Sequence, residues 1–162
     1  MSHVMKQIPP EALMKFFLML VEECIALKII IPRILIGDGQ FIRSNSNNNR
    51  PKGSKTYTDP DAGYCRHNGV RKGVGYEPWT LYAYCGSNRV LPVYFKMYPG
   101  NRNDNPANRA TLEEFLSLNL GTWKYYLADT GAYSKKTLEF CSKLGIYPII
   151  RAKKNLKTQP TR

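Results

Sequence analysis

Acidic residues are scarce in this chain. Twelve Asp and Glu stand against 24 Lys and Arg in 162 residues, for a formal net charge of +12 and a pI near 9.6. A surplus that large leaves two readings, a polyanionic partner such as nucleic acid or a merely basic soluble protein. Cysteine is also sparse. Cys24, Cys65, Cys85 and Cys141 lie far apart with no CxxC pair, which excludes a disulfide framework and a zinc finger and fits a reducing cytoplasm. The "CRH" of Cys65 to His67 begins like a metal site but lacks a second ligand pair. Long uncharged apolar runs are missing as well. The oily stretch from Ala12 to Ile31 is interrupted by Lys15, Glu22, Glu23 and Lys28, whereas a membrane-spanning helix needs about 20 mostly uncharged residues. The same acids, with a poor cationic start and a poor small-residue cleavage site, argue against a signal peptide. There is no internal repeat.

What is present is enough for one ordinary folded domain. The chain is 43% apolar and 12% aromatic, more than a disordered chain carries. Within Ala12–Ile31, a step of 100° per residue places Leu13, Phe16, Phe17, Leu20, Cys24 and Leu27 on one stripe, with Lys15 and Glu22 opposite. The expectation is an amphipathic helix packed through that stripe. Pro32 ends the pattern, and "RILIG" reads as a short buried strand. Residues 43–75 are polar, basic and rich in Gly and Asn, and read as one long connection. "WTLYAYC" and "VLPVYFKMY", joined through "GSNR", form a hairpin whose second strand is an edge or bulged strand because of Pro92. Asn105-Pro106 is expected to open a helix carrying Leu112, Phe115, Leu116 and Leu120 and closed by Gly121. "WKYYLAD" is a strand, Ser134 caps a helix with Leu138, Cys141 and Leu144 that stops at Gly145, and "IYPIIRAKK" supplies a last strand. The order predicts an α/β fold, a mixed sheet with an antiparallel hairpin, parallel later strands and flanking helices. Ligands gather at the carboxyl ends of strands in such sheets.

Two of the expected strands end in an acid, "LIGDG" at Asp38 and "YLADTG" at Asp129. Two readings stand at this point. Asp beside Gly is ordinary turn chemistry. Alternatively, if the strands are parallel neighbours, the carboxylates converge, and paired oxygen ligands suit Mg²⁺ or Mn²⁺ acting on a phosphodiester. Arg66, Arg71 and Lys72 of the basic insert are candidate phosphate contacts or a solvated basic loop, and Arg151, Lys153 and Lys154 of the "RAKKNLK" tail are candidate DNA contacts or the stump of a missing helix. Tyr82, Tyr84, Tyr94 and Tyr98 read as sheet-face packing. Asp59 and Asp61 read as turn residues, and Asp104 as a helix cap.

The ordered series of motifs resembles the DDE-type transposases of bacterial and archaeal insertion sequences. "IGDGQF" is similar to that family's "(I/V)DGT.F", and "DPDAG" at Asp59 to Gly63 to its "D.DA". "KGVGYEPW" falls where the family has "GYK.H", "YPGNRNDNP" resembles "T.GN.HD", and "LADTGAYS" resembles "(A/V)D.GY". The resemblance runs from Ile34 to Asn155. It implies a ribonuclease-H-like fold, metal-dependent DNA cleavage and strand transfer, and Asp38 and Asp129 as the first two catalytic, metal-binding acids. It also implies transposon-end and target DNA as partners, a cytoplasmic location, no membrane, and a homo-oligomer in full-length members. Glu77 and Trp79 depart from the usual Lys and His, and Asn103 stands where a His often precedes Asp104. The family's third acid, a glutamate on a helix beyond the last strand, has no counterpart, since nothing after Ile150 is acidic.

The resulting division is 1–32 as an N-terminal amphipathic helical segment, 33–155 as a partial ribonuclease-H-like domain incomplete at its C-terminus, and 156–162 as a basic tail. The expected activity is that of a fragment which binds DNA and cuts poorly or not at all. Two rivals stay open: a non-catalytic DNA-binding remnant, and an unrelated basic α/β scaffold.

Overall fold

The computed structural model describes residues 8–46, 52–53, 55–67, 70–86 and 89–152. Five strands form the main sheet: β1 (Ile34–Gly39), β5 (Trp79–Tyr84), β6 (Val90–Lys96), β7 (Tyr125–Ala128) and β8 (Tyr147–Ile150), in the spatial order β6-β5-β1-β7-β8. β5 and β6 are the expected antiparallel hairpin, while β1, β7 and β8 run parallel. β6 is an edge strand, and the ladder shifts between Leu81 and Tyr82, opposite Pro92, as a proline without an amide hydrogen requires. The mixed order, with an antiparallel pair on one side and crossover strands on the other, is the expected ribonuclease-H-like arrangement.

Helices α2 (Asp104–Ser117) and α3 (Lys135–Lys143) are crossovers that cover one face. Leu35, Leu81, Ala83 and Tyr126 point to that side and are fully buried with Leu112 and Phe115 of α2 and Cys141 of α3. Tyr94, Phe115 and Trp123 stack through it at centroid separations of 5.8 and 5.7 Å. Strand residues of opposite parity, Ile36, Tyr82, Leu127 and Ile149, turn to the other face, where they line an open cleft with Val90 and Pro148. Ser134 caps α3 as expected, accepting from the Thr137 amide at 3.1 Å. α2 begins earlier than Asn105-Pro106 suggests: Asn103 is the N-cap and Pro106 lies within the first turn.

Two readings are corrected. Helix α1 (Pro10–Ala26) does not bury the stripe expected of it. Val21 is its buried residue, with Met14, Phe17, Leu18, Cys24 and Ile25 against the core, while Leu13, Phe16, Leu20 and Leu27 are exposed. The apolar arc covers more than half of the helix, so periodicity could not choose between adjacent faces within it; on the face used, Phe17 meets Phe95 of β6 at 6.0 Å between centroids. The second correction concerns residues 43–75, which are not one connection. β2 (Ile42–Arg43), β3 (Gly63–His67) and β4 (Val70–Tyr76) form a separate three-stranded antiparallel sheet. Its glycines explain the missing apolar pattern. A β-carbon on Gly75 would fall 2.1 Å from the Ile42 carbonyl oxygen, and one on Gly63 would fall 2.8 Å from the Asn101 backbone nitrogen. Backbone approach, rather than side-chain burial, holds this sheet to the loop before α2, where the Gly100 amide donates to the Gly75 carbonyl at 2.9 Å.

Candidate metal centre and nucleic-acid surface

The pairing of β1 with β7 decides where the two acids lie. Gly37 sits opposite Ala128 in the parallel ladder, so Asp38 in β1 and Asp129, just past the end of β7, follow at the same level. Both line the open cleft on the face opposite α2 and α3, together with Arg151. Asp38 is exposed, and its strand can approach Tyr126 only because residue 37 is glycine: a β-carbon there would lie 2.0 Å from Tyr126 Oη. The Tyr126 hydroxyl donates to Asn108 Oδ1 beneath the sheet. Burial pushes its pKa above the ordinary tyrosine range, and the charges of Cys141, Asp129 and Asp38 add to that. The floor under Asp38 is therefore a neutral, close-packed ring.

Asp129 is both a turn residue and a member of the cleft. It caps a single 3₁₀ turn, Thr130–Ala132, its Oδ1 accepting from the amides of Gly131 at 2.9 Å and Ala132 at 3.4 Å. These bonds fix the carboxylate's orientation while Oδ2 makes no bond to the turn. The turn reading and the paired-carboxylate reading are thus compatible.

A third carboxylate comes close, and sequence reasoning gave it only a capping role. Asp104 lies in the first turn of α2. A β-carbon on Gly131 would stand 2.7 Å from Asp104 Oδ2 and 3.0 Å from Asp129 Oδ1, so the two carboxylates face each other across the space this glycine leaves. Topology contained the signal. β6 is antiparallel to β5, which is antiparallel to β1, so α2 must start at the end of the sheet where Asp38 lies. Glu77 is nearby too, its Oε1 3.7 Å from a β-carbon on Gly39. Burial first, then the charge of Glu77, pushes up the Cys65 thiol's pKa, with Asp104 adding to it. Among the described residues no group of three or more His, Cys, Asp or Glu has metal-binding geometry.

The candidate phosphate contacts divide into two places. Arg66 on β3 and Arg71 on β4 are register partners at a ladder shift, and Lys72 follows, exposed. Arg151, also exposed, borders the cleft of the two acids. Lys153 and Lys154 lie outside the described residues. Asp59 is structural: it accepts from Tyr76 Oη at 2.6 Å and Ser44 Oγ at 2.8 Å, tying the loop to the second sheet. No helix among the described residues is long and apolar enough to cross a membrane.

Comparison with known proteins gives three results. Among solved structures the chain is similar to the Mos1 transposase in its paired-end complex with the left transposon end, at 16% identity and a TM-score of 0.46, covering 90% of this chain and 44% of that one. It is similar to the catalytic domain of the Mos1 mariner transposase, at 9% identity and a TM-score of 0.41, covering 92% and 65%. It is also similar to a chain of the simian T-cell lymphotropic virus intasome in complex with PP2A regulatory subunit B56 gamma, at 14% identity and a TM-score of 0.44, covering 76% and 33%. The chain thus spans 33% to 65% of the length of these proteins. No curated protein matches it. The family described as "Transposase DDE domain" matches residues 30–161, a span that contains Asp38, Asp129 and the whole main sheet. The chain belongs to the DDE transposase domain family.

Proposed function

We propose that this chain is the DNA-handling part of an insertion-sequence transposase, and that Asp38 and Asp129 hold a divalent cation for phosphodiester cleavage and strand transfer. The observation that carries the reading is the placement of two carboxylates at one level of adjacent parallel strands, in an open cleft. The donor set fits such an ion. It is all oxygen, Asp129 is oriented by two backbone amides that leave Oδ2 outside the turn, and the cleft has room for the waters that Mg²⁺ or Mn²⁺ retains. Such a cation would lower the pKa of a bound water or hydroxyl and so supply an attacking oxygen at neutral pH.

The protein's own residues do the rest. Asp38 and Asp129 would hold the cation, and the packed Tyr126 ring below Gly37 keeps the Asp38 position from yielding. Arg151 beside the cleft, and the basic residues of β3 and β4, hold the DNA backbone by charge. Two carboxylates line the cleft, and the proposal is that cutting by this chain alone is slow. The test is DNA binding and plasmid nicking with and without Mn²⁺. Binding that weakens steeply with salt and tightens with Mn²⁺, the latter lost in Asp38→Asn, is the expected result. Binding indifferent to salt contradicts the DNA reading, and a Mn²⁺ effect retained in Asp38→Asn contradicts the metal site. A non-catalytic remnant would show the salt dependence without any Mn²⁺ effect.

A further inference from the structure

Asp38 stands between two glycines, and each of them rests on a buried aromatic ring. Gly37 and Gly39 share the parity of Leu35, so the side chains they lack would point to the face covered by α2 and α3. A β-carbon on Gly37 would fall 2.0 Å from Tyr126 Oη, and one on Gly39 would fall 2.9 Å from Trp79 Cε3. Tyr126 is fully buried and Trp79 is 2% exposed. The backbone on both sides of the aspartate is thus seated on close-packed rings, while its carboxylate lines the cleft.

A polar contact, and not packing alone, holds the Tyr126 ring. Its hydroxyl donates to Oδ1 of Asn108, a fully buried residue of α2. Asn108 lies one turn beyond Asp104 on the same face of that helix, and the Asp104 carboxylate faces Asp129. One hydrogen bond therefore joins the support of Asp38 to the helix whose first turn carries Asp104. The arrangement costs stability. Asn108 Nδ2 and Trp79 Nε1 are the buried side-chain polar atoms without a hydrogen-bond partner among the described residues. Trp79 Nε1 acts on the Tyr126 hydroxyl without reaching hydrogen-bond geometry. Both unpaired donors belong to the three side chains beneath Asp38. An apolar pair of the same shape in place of the Tyr126 hydroxyl and the Asn108 amide would serve folding as well, so folding alone does not account for Asn108.

Resting on the reading of Asp38 and Asp129 as a cation site, we propose that Asn108 and Tyr126 are positioning residues for Asp38. The hydroxyl, fixed by the amide, sets the height of the Gly37–Gly39 segment and with it the place of the carboxylate. Neither residue touches the cation; both act through the backbone of β1. Without the oxygen, the ring atom nearest the Gly37 β-carbon position is Cζ at 2.8 Å, in place of Oη at 2.0 Å. That opens about 0.8 Å beneath β1, more than the ~0.5 Å within which a ligand group must be held.

The experiment is a double-mutant cycle on the full chain, with Tyr126→Phe, Asn108→Leu and both together, read by urea unfolding and by calorimetric titration of Mn²⁺. Each single variant leaves a buried polar group unpaired and should lower the unfolding midpoint; the double variant, apolar on both sides, should recover it. Mn²⁺ affinity should follow a different course. It should fall about tenfold in Tyr126→Phe, as loss of a group that orients a metal ligand does, and stay about tenfold down in the double variant despite its restored stability. Mn²⁺ affinity that recovers with the unfolding midpoint in the double variant, or that is unchanged in Tyr126→Phe, reduces the pair to packing. Either result overturns the proposal and leaves the cation site intact. A wild-type chain that binds no Mn²⁺ overturns the cation site and the positioning role together.

Discussion

At the scale of single residues, Asp129 separates the structural from the chemical use of a carboxylate. Its Oδ1 caps the 3₁₀ turn, a role asparagine keeps and alanine does not. Asp129→Asn is therefore expected to leave the unfolding midpoint near the wild type and remove metal binding. Asp129→Ala should remove metal binding and cost about 1 kcal/mol of stability as well, read by urea unfolding beside a Mn²⁺ titration. Gly37 makes a different demand, since its β-carbon would meet the buried Tyr126 ring. Gly37→Ala should destabilise by about 1–3 kcal/mol, the range for overpacking a filled core, in the same unfolding assay. Asp59 supplies a pH signature. The hydrogen bond from Tyr76, and next that from Ser44, hold its carboxyl below the ordinary 3.8, and the same bond pushes Tyr76 up to about 12. An acid depressed on folding contributes stability above its unfolded pKa and loses it as pH falls through the folded one. The attachment of the second sheet should therefore be complete above about pH 4 and weaken progressively below it. Asp59→Asn should lower the urea midpoint near neutrality and converge with the wild type at the acid end.

At the scale of elements, the strands of the main sheet, the hairpin and the capped α3 were legible because each carries a short-range cause. "LIGDG" and "YYLA" are apolar runs of strand length, Pro92 marks an edge, and Ser134 finds the Thr137 amide three residues on. The second sheet was not legible, because "GYCRH" and "VRKGVGY" are held by glycine-mediated backbone contacts rather than by an apolar alternation. The aspartate pair was legible in outline, since it needed only the parallel neighbourhood of two strands. Asp104 was not, because it joins the site through the direction of β6 rather than through spacing. The buried face of α1 was also hidden, within an apolar arc wider than the face it buries. That face gives a clear contrast: Val21→Ala should cost about 1–3 kcal/mol. Phe16→Ser, at a residue 60% exposed, should change stability by less than about 0.5 kcal/mol. Thermal unfolding of the two variants checks the assignment.

At the scale of the whole molecule, charge and topology act together. The net charge of +12 supplies a sequence-independent attraction to polyanions, and the sheet brings Asp38, Asp129 and Asp104 to one end, with Arg151 beside the first two. A protein that engages six or more phosphates should lose about a thousandfold or more in affinity between 50 and 200 mM salt, measured by fluorescence anisotropy on a blunt duplex. The claim that organises the rest is that Asp38 and Asp129 form a single cation site. Calorimetric titration of Mn²⁺ into the full chain, Asp38→Asn and Asp129→Asn tests it without relying on cleavage. The account predicts binding to the wild type that disappears in each single variant while the fold is retained. Mn²⁺ affinity unchanged in either variant would contradict it.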